Sequence, residues 1–200
     1  VSINSAGIIN ESGGGTTVVE DWEGSSPLSD WSGDTGGVKV ADFYYYEGSH
    51  SVFSKSGYGD NIITKDGTNY GPADTPFSVY IHNRDDTNPG GIAFGGQNSN
   101  GRGGFSGYSA VSYGYGSLYF FRYDSGSRTS LRYTSSADLT EFRVVLSEWK
   151  SGGSMTMELR DLNGNVKDTL STTDGTYGSG RIGIKIKNPL TSDYLTVNGV

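Results

Sequence analysis

Met155-Thr-Met-Glu-Leu-Arg160 alternates apolar and polar residues without a break, then runs through Asp161-Leu-Asn-Gly-Asn165 into Val166-Lys-Asp-Thr-Leu-Ser171. Successive side chains of an extended chain point to opposite faces, so the first stretch reads as a strand with one buried and one wet face. Asn163-Gly164 readily takes the positive φ of a type I′ turn, which makes the whole stretch a hairpin. Phe77-Ser-Val-Tyr-Ile-His82, Glu141-Phe-Arg-Val-Val-Leu-Ser-Glu-Trp149 and Ile182-Gly-Ile-Lys-Ile-Lys187 keep the same period. Shorter runs rich in β-branched and aromatic residues cover 16–22, 37–44, 51–54, 61–64, 91–96, 108–113, 117–123, 129–134 and 194–197. Asp66-Gly67, Asp124-Ser-Gly126 and Asp174-Gly175 punctuate them as further turns. No window of a dozen residues holds a 3.6 period free of Gly, so any helix is short. About fourteen strands at this spacing mean an all-β chain, either a two-sheet antiparallel β-sandwich or a barrel. A sandwich hides two inner faces and leaves its outer faces polar, which suits the alternation.

Composition agrees with one folded domain. The 200 residues include 32 Gly, 14 Tyr and no Cys. Leu, Ile, Val and Phe make up about a fifth of the chain, near the level where disorder begins. Aromatics at 12% supply the missing apolar area. Without Cys there are no disulfides, no thiolate zinc sites and no thiol nucleophile. A net charge of −7 argues against nucleic acid and against an anionic membrane as the main partner. No apolar run reaches the ~18 residues of a helical span, so no membrane insertion is expected. Val1–Gly15 reads as a short apolar segment followed by a Ser-Gly-Gly-Gly linker, and residues 16–200 as the β domain.

Catalytic motifs are missing. The sequence contains no Gly-x-Ser-x-Gly elbow, no His-Glu-x-x-His and no phosphate loop. His50 and His82 are its only histidines, and His82 lies in an alternating strand where a structural role is expected. Glu20-Asp21-Trp22-Glu23 places residues 21 and 23 on one face, but its spacing is not the Glu-x-Asp-x-x-Glu of sandwich glucanases. A better use for these acids is Ca²⁺, which takes six to eight oxygens and accepts backbone carbonyls such as those of a Gly48-Ser49 turn. Solvated acids at a strand end are an equal reading.

Rings concentrate in Phe43-Tyr-Tyr-Tyr46 and in Tyr113 to Tyr123. Most of them are expected to pack in the core or on a sheet face. Tyr113 and Tyr115, set among glycines, are expected to be exposed, and Asn98 to Gly107 reads as a mobile polar loop. Tyr, Asn, Ser and Gly are the residues of adaptable recognition surfaces. Candidate ligand-binding residues are therefore Tyr113, Tyr115, Asn98, Asn100 and Arg102, with Tyr44 and Tyr46 secondary.

Val19-Glu-Asp-Trp-Glu-Gly24 followed by Trp31-Ser-Gly-Asp34 resembles the opening of concanavalin A-like (laminin-G-like) jelly-roll domains of haloarchaeal surface and virus proteins. Tyr46-Glu-Gly-Ser-His-Ser-Val52, Glu148-Trp149, Leu159-Arg-Asp-Leu-Asn-Gly-Asn165 and Leu195-Thr-Val-Asn-Gly-Val200 match later strands of that family. The resemblance spans about 16–200. It implies a concanavalin A-like jelly roll and a structural Ca²⁺ held by Glu23 or Asp21, the Gly48 and Ser49 carbonyls, and Asn198 in place of the usual Asp. It also implies a non-catalytic surface module, outside the cell or on a virion, that binds glycan or a glycosylated host surface. Alternatives are an architectural protein docking on neighbouring structural proteins through residues 1–15, with homo-oligomerisation expected, and a glycosidase-like hydrolase.

Overall fold

The computed structural model describes residues 9–10, 17–18, 22–42, 49–55, 57–83, 88–113, 115–187 and 195–198; for 9–10, 17–18, 83 and 195–198 only the backbone is described. Its strands are β1 (Ile9–Asn10), β2 (Thr17–Val18), β3 (Trp31–Gly33), β4 (Val38–Ala41), β5 (Ser51–Ser54), β6 (Asp60–Lys65), β7 (Phe77–Asn83) and β8 (Pro89–Gly96). The second half adds β9 (Gly107–Tyr113), β10 (Ser117–Asp124), β11 (Ser127–Ser135), β12 (Glu141–Trp149), β13 (Ser154–Arg160), β14 (Val166–Thr173), β15 (Arg181–Lys187) and β16 (Leu195–Asn198). The chain is all-β, and among the described residues every pairing is antiparallel.

Two sheets face each other. One runs β14-β13-β12-β7-β16-β5-β4, with β1 added to β7 and β2 to β1. The other runs β11-β10-β9-β8-β15-β6-β3. Within the segment expected to precede the domain, Ile9 and Asn10 pair with Ser78 and Phe77 of β7. On the same flank of β7, β16 pairs with residues 80–83.

Alternation explains the core. Met155, Met157 and Leu159 of β13 are buried, and so are Phe142, Val144 and Leu146 of β12 and Phe77, Val79 and Ile81 of β7. They meet Ile92 and Phe94 of β8, Tyr108 and Ala110 of β9, Leu118 and Phe120 of β10, and Ile182, Ile184 and Ile186 of β15. On the opposite face of the first sheet, Glu141 Oε1 accepts from Tyr80 Oη at 2.9 Å and lies 2.7 Å from His82 Nδ1, so His82 serves a cross-strand contact.

Two local expectations need correction. In the β13–β14 loop only Gly164 has positive φ, so the turn is not type I′. Asp161 decides this, because its Oδ1 accepts the N–H groups of Asn163 and Asn165, both at 2.9 Å. The positive-φ pair falls instead at Ser125 (48°) and Gly126 (86°), between β10 and β11. The outer face of the seven-stranded sheet is not polar either. Ile62, Ala93, Phe105, Val111, Phe121 and Tyr123 form a second buried apolar cluster there, with Tyr113 and Tyr119 packed against it. Central strands of this sheet are therefore covered on both faces, and β8 is buried along its whole length.

Candidate functional site

The second cluster owes its cover to one loop. Asp34, which closes Trp31-Ser-Gly-Asp34, accepts the N–H groups of Ile62 at 2.9 Å and of Arg102 at 2.6 Å on a single oxygen, Oδ2. This ties β6 to the 98–104 loop. Gly101 lies against that carboxylate, and a Cβ there would stand 2.0 Å from Asp34 Oδ1. The loop then closes on itself. Asn98 Nδ2 donates to the Gly104 carbonyl at 3.0 Å, Asn100 N–H donates to Asn98 Oδ1 at 3.2 Å, and Gly104 N–H donates to the Gly101 carbonyl at 2.9 Å. The loop is thus closed by its own hydrogen bonds. The amides of Asn98 and Asn100 are committed to the loop.

Arg102 turns inward. Its Nη1 donates to the Gly126 carbonyl, and its guanidinium lies 5.1 Å from the centre of the Tyr123 ring. Gly126 N–H donates to the Phe105 carbonyl at 2.8 Å, so the β10–β11 turn is pinned onto the loop. That turn brings in Arg128, whose guanidinium lies 4.6 Å from the Phe121 ring centre.

Rings continue from there along the outer face. Phe121 and Tyr119 stack at 5.2 Å and 8°, and Tyr119 and Tyr133 at 5.4 Å and 17°. Tyr113 stands 5.3 Å from both Tyr119 and Tyr115. The rings are aligned because Tyr119, Phe121 and Tyr123 alternate with core-facing Leu118 and Phe120, and Tyr119 is opposite Tyr133 in the β10–β11 register. Tyr133 is 66% exposed and Tyr115 49%, so the far end of the ladder is open to solvent. Tyr113 is only partly exposed.

Beneath the loop lies Lys185 of β15, fully buried. Its Nζ stands 3.3 Å from Asp60 Oδ2, the oxygen approached also by Arg128 at 3.7 Å and Arg102 at 3.8 Å. Burial pulls the ammonium down to about 8, against the opposing pull of Asp60. Burial likewise pushes the Tyr123 hydroxyl up to about 12.

Of the residues expected to bind ligand, Tyr113, Tyr115 and Arg102 come together on this face, and Asn98 and Asn100 build the loop beside it. Tyr44 and Tyr46 lie outside the described residues. Sequence reasoning missed Asp60, Lys185, Arg128, Tyr119 and Tyr133. The one local signal was Lys185, a charge inside the apolar Ile-Gly-Ile-Lys-Ile run of β15.

Of the expected metal ligands, Glu23 and Ser49 are described in full. Glu23 and Ser49 do meet, but through donors. Glu23 Oε1 accepts the N–H groups of Ser49 (2.6 Å) and His50 (2.8 Å), and Oε2 accepts Ser49 Oγ (2.6 Å) and lies 2.9 Å from His50 Nδ1. Ca²⁺ needs oxygen ligands. Here the carboxylate is already held by four protein groups, and the described residues contain no cluster of three acidic or His side chains. Glu23 and Ser49, the two expected ligands that are described in full, are therefore already paired with each other. Asp21, Gly48 and the Asn198 side chain lie outside the described residues. Nor is this a Ser-His-acid relay, because Ser49 and Glu23 contact the same ring nitrogen of His50.

Burial alone would raise the Glu23 pKa, yet the bonds from Ser49 and His50 outweigh it and lower it to about 2. A depressed folded-state pKa stabilises the protein above the ordinary value near 4.5, and that contribution is lost as pH falls from there toward 2. Glu23→Gln is expected to cost about 1–2 kcal/mol at neutral pH after allowance for solvent screening. It should cost almost nothing near pH 2. Melting curves of both proteins across that range check this, and an equal gap at both ends would contradict it.

No protein-family model matches the chain, and no curated protein matches its sequence. Solved structures do match. The carbohydrate-binding module CBM66 from Bacillus subtilis superposes with a TM-score of 0.60 at 15% identity, over 85% of this chain and 92% of that one. The VIP36 exoplasmic/lumenal domain in its Ca²⁺/Man3GlcNAc-bound form gives 0.52 at 10% identity, over 87% and 84%. Bacillus licheniformis β-glucanase gives 0.50 at 9% identity, over 99% and 97%. The fold is a lectin-type jelly roll. At these identities the likeness concerns the fold alone.

Proposed function

We propose that this jelly roll is a non-catalytic glycan-recognition module displayed outside the cytoplasm. The observation that carries the reading is the ring ladder Tyr115–Tyr113–Tyr119–Tyr133 on the outer face of the seven-stranded sheet, buried at its Phe121 end and open at its Tyr115 and Tyr133 end. Flat rings with hydroxyl handles stack on sugar faces and donate to sugar oxygens. Solved structures of this fold include a carbohydrate-binding module and a Man3GlcNAc-bound domain, which lends support. Against hydrolysis, Asp60 at the start of β6 and Asp66 just past its end are roughly 20 Å apart at 3.3 Å per residue, far beyond the ~5–9.5 Å of a glycosidase pair.

Each exposed ring is worth about 1–2 kcal/mol in a stacked complex. Tyr115→Ala with Tyr133→Ala is therefore expected to weaken binding to an array-identified glycan by roughly thirtyfold to a thousandfold at unchanged melting temperature. Unchanged affinity in the double variant would remove the ladder from the site. An array of neutral and acidic glycans that stays blank would defeat the reading itself.

Ca²⁺ is not required by this reading. Because four protein groups satisfy Glu23, EDTA is expected to leave the melt unchanged. A fall on chelation would show that a metal contributes to the stability of the fold.

A further inference from the structure

The Asp60 cluster has more positive charge than it can use. Lys185, Arg102 and Arg128 converge on one Asp60 oxygen at 3.3, 3.8 and 3.7 Å, all longer than the ~2.7–2.9 Å of a charge-assisted hydrogen bond. Three cations around one carboxylate leave the spot at about +2, on a chain whose net charge is −7. Buried donors on the same face are poorly used: Lys185 Nζ has only its 3.3 Å contact with Asp60, Arg102 Nε only its 3.8 Å contact with the same oxygen, and Thr64 Oγ1 has no hydrogen-bond partner. Buried donors without a close acceptor are costly, and these can take a further acceptor.

Register puts them on that face. Lys185 is opposite Ile62 on one side and Gly91 on the other, and Thr64, Ser109 and Tyr123 are in phase with them on neighbouring strands. Gly91 and Gly183 present no side chain beside Lys185. Arg102 and Arg128 form the partly exposed lip, with side chains 28% and 38% accessible, and Lys185 is the floor. Arg128 lies over Phe121, and Phe121 stacks on Tyr119, so the lip and the ring ladder belong to one surface.

We propose that this surface reads an anionic sugar. Arg102 and Arg128 receive its carboxylate or sulfate over Lys185, and the ladder from Phe121 to Tyr133 takes the sugar ring. This rests on the glycan-recognition reading and narrows it to acidic glycans. Arg offers two parallel donors to a planar carboxylate or a sulfate edge. An incoming anion would supply the acceptors that Asp60 alone does not.

Affinity electrophoresis tests this on the whole chain with three gel additives: polygalacturonate, its fully methyl-esterified form, and heparin. A protein of net charge −7 has no general attraction to polyanions, so retardation is informative. Polygalacturonate or heparin should retard the protein, with the carboxylate and sulfate sources separated by which gel acts. The methyl ester should not. Arg128→Gln, on the exposed edge strand β11, should weaken retardation about tenfold without shifting the melt, and Lys185→Met should do the same or more. Retardation by neither charged gel overturns the proposal. Equal retardation by the methyl ester overturns the charge-reading step but leaves glycan recognition standing. Competition by inorganic sulfate at the polymer's own affinity, counted per anionic group, would assign the cationic cluster to a free anion and overturn the sugar.

Discussion

Replacing Trp149 with alanine is expected to lower the unfolding free energy by about 3–5 kcal/mol, the usual cost of deleting a large buried ring. Trp149, at the end of β12, is 1% exposed and meets Phe94 of β8 edge to face at 5.3 Å and 71°. It therefore joins the two sheets. Phe94 passes the contact to Tyr108 at 5.3 Å and to Phe120 at 6.5 Å, both on strands of the second sheet. Truncation would remove the ring's transfer energy and leave a void that neighbouring strands, fixed by their ladders, cannot close. Urea denaturation checks this. With a slope of about 2 kcal/mol per molar, the midpoint should fall by roughly 1.5–2.5 M. Trp149→Phe should recover about half of the loss. A loss below about 1 kcal/mol would mean that the sheets are held together elsewhere.

Asp34→Ala is expected to cost about 2–3 kcal/mol, from two hydrogen bonds to one charged group and the backbone donors left behind. Its effect should also be local. Without Asp34 Oδ2, the Ile62 and Arg102 amides lose their acceptor, and Arg102 is released from the lip of the outer face. Hydrogen exchange should quicken at Arg102 and Ile62 while the Met157 and Val144 amides stay slow. Gly101→Ala should reproduce part of this by pressing a Cβ into the same carboxylate. If exchange at Arg102 does not change, Asp34 is not the latch.

The two halves of this protein differ in how far they can be read from sequence. Period-two alternation is local, so β7, β12, β13 and β15 could be located residue by residue, and the Gly-marked hairpins followed. β3 escaped because three residues ending in Gly33 carry no period. The turn type at Asn163-Gly164 was misjudged because a side chain outside the pair, Asp161, outcompetes the dipeptide's own preference. The polar outer face was misjudged for a related reason. Alternation says which residues share a face, but not what covers that face.

Cover is a tertiary matter. Phe105 and Arg102 lie over the second sheet because Asp34, far away in sequence, holds their loop there, and the β10–β11 turn then brings in Arg128. Asp60 and Lys185 meet because β6 and β15 are neighbours in the sheet. Asp60 looks like an ordinary surface charge when its own strand is read alone, and Lys185 stands out only as a charge within an apolar run. What the sequence determined by itself was an all-β sandwich rich in rings, because alternation, turns and composition are properties of short stretches. Which rings line up, which charges are buried and where positive charge gathers on an acidic chain were decided only by strand order and loop docking, since those bring together groups that no local spacing relates.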